Sequence, residues 1–324
     1  MAIWVLRRLM QALLVVFAMT LIVFMAISFM GNPVDIMISP DADQADRAKA
    51  IAALGLDLPV WQQYLRFLGG AIQGEFGRSF VFNEPAIGLI LSRMPATLEL
   101  AVTATLLSIV IGLPLGLYAG LRPDTALAKI LMGGSILGFS LPSFLIGLFL
   151  IAVFAVELQW LPSTGRGQTA PLFGIQWSFL TADGLRHLML PALNLALYNI
   201  ALIMRLTRAG VAETMQAEYI RFARAKGLTT RRIVFVHVLK SILIPIVTVI
   251  GMEFGITIAL SVVTETVFAW PGMGKLMIDS IGVLDRPVIV AYLMISVLIF
   301  VLINFLVDIF YTVIDPRADL GAAE

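Results

Sequence analysis

Cysteine is absent from the 324-residue chain, and histidine occurs only at His187 and His237. The first absence excludes a disulfide framework, a thiolate metal site and a cysteine nucleophile. The second excludes a histidine-rich metal centre. Charge is scarce too: Asp, Glu, Lys and Arg make up 13% of the residues and the net charge is +1, so no overall field draws in nucleic acid. There is no HExxH, no GxSxG and no intramembrane Ser/His arrangement, which argues against an enzyme. The nearest thing to a phosphate-binding loop is Gly272-Met273-Gly274-Lys275. It lacks the leading Gly, because position 269 is Ala, and it has Leu276 where Ser or Thr should follow Lys.

What the chain has instead is apolar length. Hydrophobic residues account for 60% of it, which places it among integral membrane proteins. Arg7 and Arg8 precede an uncharged run from Leu9 to Met30, long enough for a ~30 Å hydrocarbon core that takes about 20 residues. That run exceeds a signal-peptide core and no small-residue cleavage site follows, so it reads as an uncleaved first span with its amino end in the cytoplasm. Gly31 to Met94 is polar, with Asp35, Asp41, Asp43, Asp46 and Asp57, and contains an amphipathic helix over Val60 to Ala71. This segment is expected outside, as a small cap.

Five further spans are expected. The second covers about Leu100 to Leu121, with Gly112, Gly116 and Gly120 spaced for close helix packing and a kink at Pro114. The third, about Ile130 to Val156, carries Gly134 and Gly138 and is interrupted by Leu141-Pro142-Ser143-Phe144. An external loop, Glu157 to Leu188, holds Trp160 and Trp177 at belt positions. The fourth span is short, about Met189 to Met204, with Pro191, Asn194 and Asn199. The fifth runs from about Ser241 to Val263, with Glu253 near its middle, and the sixth from about Val288 to Val307. The expected fold is all-α and polytopic, with both termini inside.

Between the fourth and fifth spans lies the most informative stretch. Eight Lys and Arg fall between Arg205 and Lys240, which marks this connection as cytoplasmic. It is far longer than the ~2–8 residues a helix–helix turn needs. From Glu213 to Lys226 there is no Gly or Pro, and Gly227 then stands at a C-cap position, with Arg224 and Lys226 in the last turn. A short helix outside the bilayer is expected there, ending at Gly227. Phe222 and Tyr219 offer anchors for a partner pocket.

The run Tyr219-Ile220-Arg221-x-Ala223-Arg224-Ala225-Lys226-Gly227-Leu228 resembles the cytoplasmic coupling segment of the ABC importer permeases for peptides and nickel. Of the general importer pattern, Glu-Ala-Ala, three residues, Gly, nine residues, Ile-x-Leu-Pro, only Ala223, Gly227 and Leu239 match. The departures are those of the peptide and nickel subgroup. Gly74-Glu75-Phe76-Gly77-Arg78-Ser79, Arg93 to Leu100, Glu265 to Lys275 and Asp315-Pro316-Arg317 are similar to the same subgroup.

The resemblance implies a type I ABC importer transmembrane fold with six spans and a cytoplasmic coupling helix. It divides the chain into residues 1–94 (first span plus external cap), residues 95–312 (permease core, with the coupling segment 213–240) and a cytoplasmic tail, residues 313–324. It further implies a bacterial inner-membrane location, two ATPase subunits that bind the ATP and Mg2+, a second homologous permease subunit and an external solute-binding protein. This chain would hold no cofactor of its own. On that reading Ala223, Arg224, Ala225 and Gly227 form the ATPase contact face, with Glu218 and Arg221 as its polar rim and Leu228 closing the segment. Glu253 reads as the one ionisable residue deep within a span. It either borders the translocation route or is a protonated carboxyl hydrogen-bonded to a neighbouring helix. The competing class is an ion-coupled secondary transporter, which would want more intramembrane carboxylates than this; a passive pore would have no use for an ordered cytoplasmic helix.

Overall fold

The computed structural model describes residues 2–29, 43–45, 48, 51–52 and 56–314. Asp35, Asp41, Asp46 and the tail beyond Ile314, all singled out above, lie outside the described residues. The helices are α1 (Ala2–Phe29), α2 (Val60–Gln73), α3 (Ala86–Leu121), α4 (Ala126–Ser140) and α5 (Ser143–Glu157), then α6 (Ala182–Gln216), α7 (Glu218–Ala225), α8 (Thr230–Val267), α9 (Met273–Gly282) and α10 (Arg286–Ile314). Two short strands, β1 (Ala170–Leu172) and β2 (Ile175–Trp177), form an antiparallel hairpin between α5 and α6.

Among the described residues, five helices are long and apolar enough to cross a membrane: α1, α3, α6, α8 and α10. The expected third span is split. Pro142, with ψ 137°, turns the backbone out of helix, and its carbonyl accepts from the amides of Leu145 and Ile146 to start α5. The apolar parts of α4 and α5 are each only 10–17 residues long. At ~1.5 Å per residue neither reaches across a ~30 Å core alone. The other spans are longer than expected. α6 runs through Pro191 and on past Arg205 and Arg208, and α8 begins at Thr230 and runs through Pro245. Hydropathy marks only the part of a helix inside the bilayer, so charged continuations of the same helix read as loops.

The chain divides into two compact units. The first comprises residues 1–95 and 271–302. Here α1 exposes most of its apolar surface, including Met10, Leu13, Leu14 and Phe17, as a lipid-facing helix does. It meets α2 through Thr20 and Tyr64, whose hydroxyls lie 2.9 Å apart, and through the edge-on rings of Phe24 and Tyr64 at 5.3 Å. Val23, Val290 and Met294 form the buried cluster beside them. Asp285 ties the loop before α3 to the start of α10, accepting from the Ser79 hydroxyl and from the Phe80 amide at 3.1 Å.

The second unit comprises residues 96–270 and 303–324, and α6 is its axis. Buried clusters lie along the length of that helix. They centre on Leu188 and Ala192, on Leu195, Ala196 and Ile200, and on Ile203 and Val211. α3 packs against α6 backbone to backbone through the expected glycines. A Cβ on Gly116 would come within 2.5 Å of the Thr207 Cβ and 2.7 Å of the Met204 carbonyl oxygen, and one on Gly120 within 2.6 Å of the Val211 Cβ. Only hydrogen fits at these crossings.

Candidate functional site

The stretch between α6 and α8 is almost entirely helical. α6 ends at Gln216, and a single extended residue, Ala217 (φ −64°, ψ 146°), separates it from α7. α7 ends as expected at Gly227. The Leu228 amide donates to the Ala223 carbonyl at 3.2 Å and the Gly227 amide to the Arg224 carbonyl at 2.9 Å, with Gly227 at φ +76°. This paired closure is the Schellman motif, and the left-handed residue it requires is why Gly stands there. Leu228, just beyond, packs onto the same apolar cluster as Ile220 and Ala223, the contact that accompanies this motif. Thr229 then caps α8, its hydroxyl accepting from the Arg232 amide.

One face of α7 is spoken for. Ile220 is fully buried and Ala223 is 6% exposed, both in a cluster with Ile203 and Val211 of α6 and Ile233, Val238, Ile242 and Ile246 of α8. Ala223 was expected on the contact face. The structure places it inward, because Ile220 and Ala223 are three apart and share the stripe that seats the helix. The face turned outward carries Tyr219, Phe222 and Lys226, spaced three and four apart, flanked by Glu218, Arg221, Arg224, Ala225 and Gly227, all exposed. Phe222 is 62% exposed, with the Lys226 ammonium 4.5 Å from its ring centre. Tyr219 is 49% exposed and its hydroxyl lies 3.0 Å from the Ser241 hydroxyl on α8. The outward surface is therefore aromatic and basic, mounted on a helix seated against two spans.

The interior is more polar than the sequence suggested. Glu253 is half-buried beside a small, mostly apolar cavity of about 10 Å3, lined by Thr105 and Ser108 of α3, by Asn199, Leu202 and Ile203 of α6 and by Val249, Ile250 and Phe254 of α8. It is not the one deep ionisable residue: Glu99 in α3 is 3% exposed and Glu265 in α8 is fully buried. Glu265 accepts from the Thr97 hydroxyl at 2.7 Å and the Ser261 hydroxyl at 3.1 Å. Glu99 pairs with Arg166 at 2.6 Å and accepts from the amides of Ser178 and Phe179 at 2.6 and 2.9 Å. Arg166 also donates to the Ser178 hydroxyl and the Gln176 carbonyl, and its guanidinium lies 5.7 Å from the Trp270 ring centre. These contacts clamp the hairpin loop onto the helix bundle. Two buried amides on α6, Asn194 and Asn199, donate to Thr264 and Thr257 of α8 at 2.8 and 2.9 Å. None of these groups forms a nucleophile–base pair or a metal set; the arrangement holds helices together and offers a surface.

Two family models match the chain: the inner membrane component of binding-protein-dependent transport systems over residues 112–320, and the amino-terminal region of such membrane components over residues 1–101. The chain belongs to this family. The permease is 39% identical to the di/tripeptide transport system permease protein DppB of Pseudomonas aeruginosa, over 96% of this chain and 97% of that one. It is 37% identical to the oligopeptide transport system permease protein AppB of Bacillus subtilis, over 98% and 100%. The glutathione transport system permease protein GsiC of Escherichia coli is 34% identical over 97% of each chain. In fold, the permease is similar to a chain of the MetNI methionine ABC transporter in an inward-facing conformation. The TM-score is 0.54 at 20% identity, covering 70% of this chain and 96% of that one. Its transmembrane fold is that of an ABC importer.

Sequence reading missed the Glu99–Arg166 clamp and the two α6 amides as elements of the permease's interior. A signal was available: Arg166 is the sole charged residue between Glu157 and Asp183, and Glu99 stands between Leu98 and Leu100. The partners of Glu99 and Glu265 are 67 and 168 residues away, however, and spacing does not reveal such pairs.

Proposed function

We propose that the permease is one half of the membrane path of an ATP-driven importer for di- or oligopeptides, and that α7 is the helix through which separate ATPase subunits act on it. The observation that carries this reading is the division of α7 into two faces. Ile220 and Ala223 fix it to α6 and α8, and Tyr219, Phe222, Arg224 and Lys226 are left for a partner. Exposed aromatics beside Arg are the residue types that anchor protein interfaces. The peptide class is supported by the near end-to-end likeness to permeases named for di/tripeptides, oligopeptides and glutathione.

On this reading two ATPase subunits bind ATP and Mg2+ and this chain holds neither. A second, homologous permease subunit completes the path, and an external solute-binding protein delivers the peptide. On the same reading α7 and both termini lie on the cytoplasmic side of the bacterial inner membrane, which the basic residues around α7 support. Closure of the ATPase pair on ATP displaces α7. Because α7 is packed on α6 and α8, the displacement moves both helices as a body, and the path alternates between its two openings. The test is reconstitution of the co-purified complex with its binding protein, followed by peptide uptake and peptide-stimulated ATP hydrolysis. Phe222→Glu should lower both at least tenfold while the chain still inserts. Normal uptake by that variant rules out α7 as the coupling element. A complex that turns over ATP but carries no peptide of any length overturns the substrate class instead.

A further inference from the structure

α2 meets α1 part-way along the apolar run of that span, not at its end. The run starts just after Arg8, and Thr20 stands twelve residues beyond Arg8. At ~1.5 Å per residue that is about 18 Å along α1, so in a hydrocarbon core of ~30 Å Thr20 lies about 12 Å below the far boundary. Tyr64 of α2 is held at this level. Its hydroxyl is 2.9 Å from that of Thr20, and its ring packs edge-on against Phe17 and Phe24. Phe67, one turn on, lies against Phe24 as well, with ring centres 5.9 Å apart. By the same rise Phe24 is about 24 Å from Arg8, still inside the core, and any tilt of α1 sets these contacts deeper.

α2 suits such a place. It contains a single charged residue, Arg66. Its ends are closed from within: the Pro59 carbonyl accepts from the amides of Gln62 and Gln63, and the Glu75 amide, just past Gly74, donates to the Gly70 carbonyl at 2.8 Å. The Gln63 side chain donates to the carbonyls of Leu56 and Leu58 at 3.2 and 2.8 Å. Pairing of this kind is what a hydrocarbon surrounding demands. Trp61, Leu65 and Ile72, spaced four and seven apart, form one apolar stripe, yet they are 62%, 55% and 79% exposed. Gln62, Arg66 and Gln73 form a second, polar stripe about 100° round the helix. An uncovered apolar stripe at the depth of acyl chains, with a polar stripe beside it, matches a helix lying in a bilayer interface.

We propose that α2 is an interfacial helix sunk into the outer leaflet beside α1, with Trp61, Leu65 and Ile72 against acyl chains and Arg66 extending along the polar stripe to the headgroups. The helix then belongs to the membrane-embedded body and not to a cap in front of it. Which leaflet it occupies rests on the cytoplasmic amino end proposed above; its depth does not.

The chain has no cysteine, so single thiols introduced at Trp61, Leu65, Ile72, Gln62 and Gln73 each carry a nitroxide label alone. The full chain, with the subunits that accompany it, is placed in vesicles of phosphatidylethanolamine and phosphatidylglycerol. Power saturation then measures collision of each label with oxygen, which concentrates in lipid, and with a water-soluble nickel chelate. Trp61→Cys, Leu65→Cys and Ile72→Cys should favour oxygen and report roughly 5–10 Å of burial into the headgroup and acyl boundary. Gln62→Cys and Gln73→Cys should favour nickel. Nickel-favouring readings at all five positions put α2 in water and overturn the proposal; oxygen-favouring readings at all five overturn its interfacial setting. Labels on the apolar stripe shielded from both reagents overturn it as well, because a second subunit, a binding protein or another segment of this chain then covers the stripe. If Trp61→Cys does not accumulate, Leu65→Cys and Ile72→Cys decide alone. The measurement uses neither peptide nor ATP, so its failure and that of the importer reading are distinguishable.

Discussion

Glu99 shows what one buried carboxylate does in this chain. Its side chain is 1% exposed, it holds Arg166 at 2.6 Å and it receives two backbone amides, so it fixes a guanidinium and the end of a β-hairpin at once. Removing one member of such a pair strands the other, at a cost of about 3–5 kcal/mol. Glu99→Gln should therefore lower Tm in detergent and open the Leu172 to Ile175 turn to proteolysis. Glu99→Gln combined with Arg166→Met should recover part of the loss, which a double-mutant cycle measures. The sequence disclosed Glu253 because it stands alone in an apolar run, but it did not disclose this clamp. Glu99, Arg166 and Ser178 come together only through the fold. The same applies to Ala223: its identity fitted a contact face, and only the three-residue offset from Ile220, read with the packing, turns it inward.

Helices were legible wherever their length was set by the bilayer. The Pro142 break, the glycine ladder of α3 and the Gly227 terminus were all readable from residue types, since each rests on a local steric rule. Helix ends beyond the membrane were not, because Arg205, Arg208 and Glu213 are as compatible with helix as with loop. The break at Ala217 has no side-chain cap and no residue that announces it. The glycines separate into two classes that substitution can tell apart. Gly116→Ala forces a methyl against Thr207 and the Met204 carbonyl and should destabilise by about 1–3 kcal/mol. Gly134, with no atom within 4 Å of a built Cβ, should accept Ala with a gain of up to about 1 kcal/mol in the isolated chain. Chemical unfolding in detergent checks both. Gly227 has equally open surroundings, so Gly227→Ala should cost only the left-handed backbone, about 1–2 kcal/mol, mostly as fraying of α7 seen by hydrogen exchange.

For the whole molecule, the orientation proposed from the distribution of basic residues can be checked directly. The chain has no native thiol, so every introduced one reports alone. Phe173, at the hairpin tip, is 95% exposed, and Phe222 on α7 is 62% exposed. With α7 inside and the hairpin outside, Phe173→Cys should react with a membrane-impermeant maleimide in intact cells, and Phe222→Cys only after lysis. The reverse pattern refutes the orientation and with it the coupling role of α7.

The single residue between α6 and α7 has a mechanical consequence. A lever fastened by one extended alanine on one side and four residues on the other has almost no play. On the coupling role proposed above, a push on it reaches both flanking spans in the same stroke. Lengthening the joint, for instance by two glycines after Ala217, should introduce backlash: the partner would still grip and cycle, but successive cycles would advance no cargo.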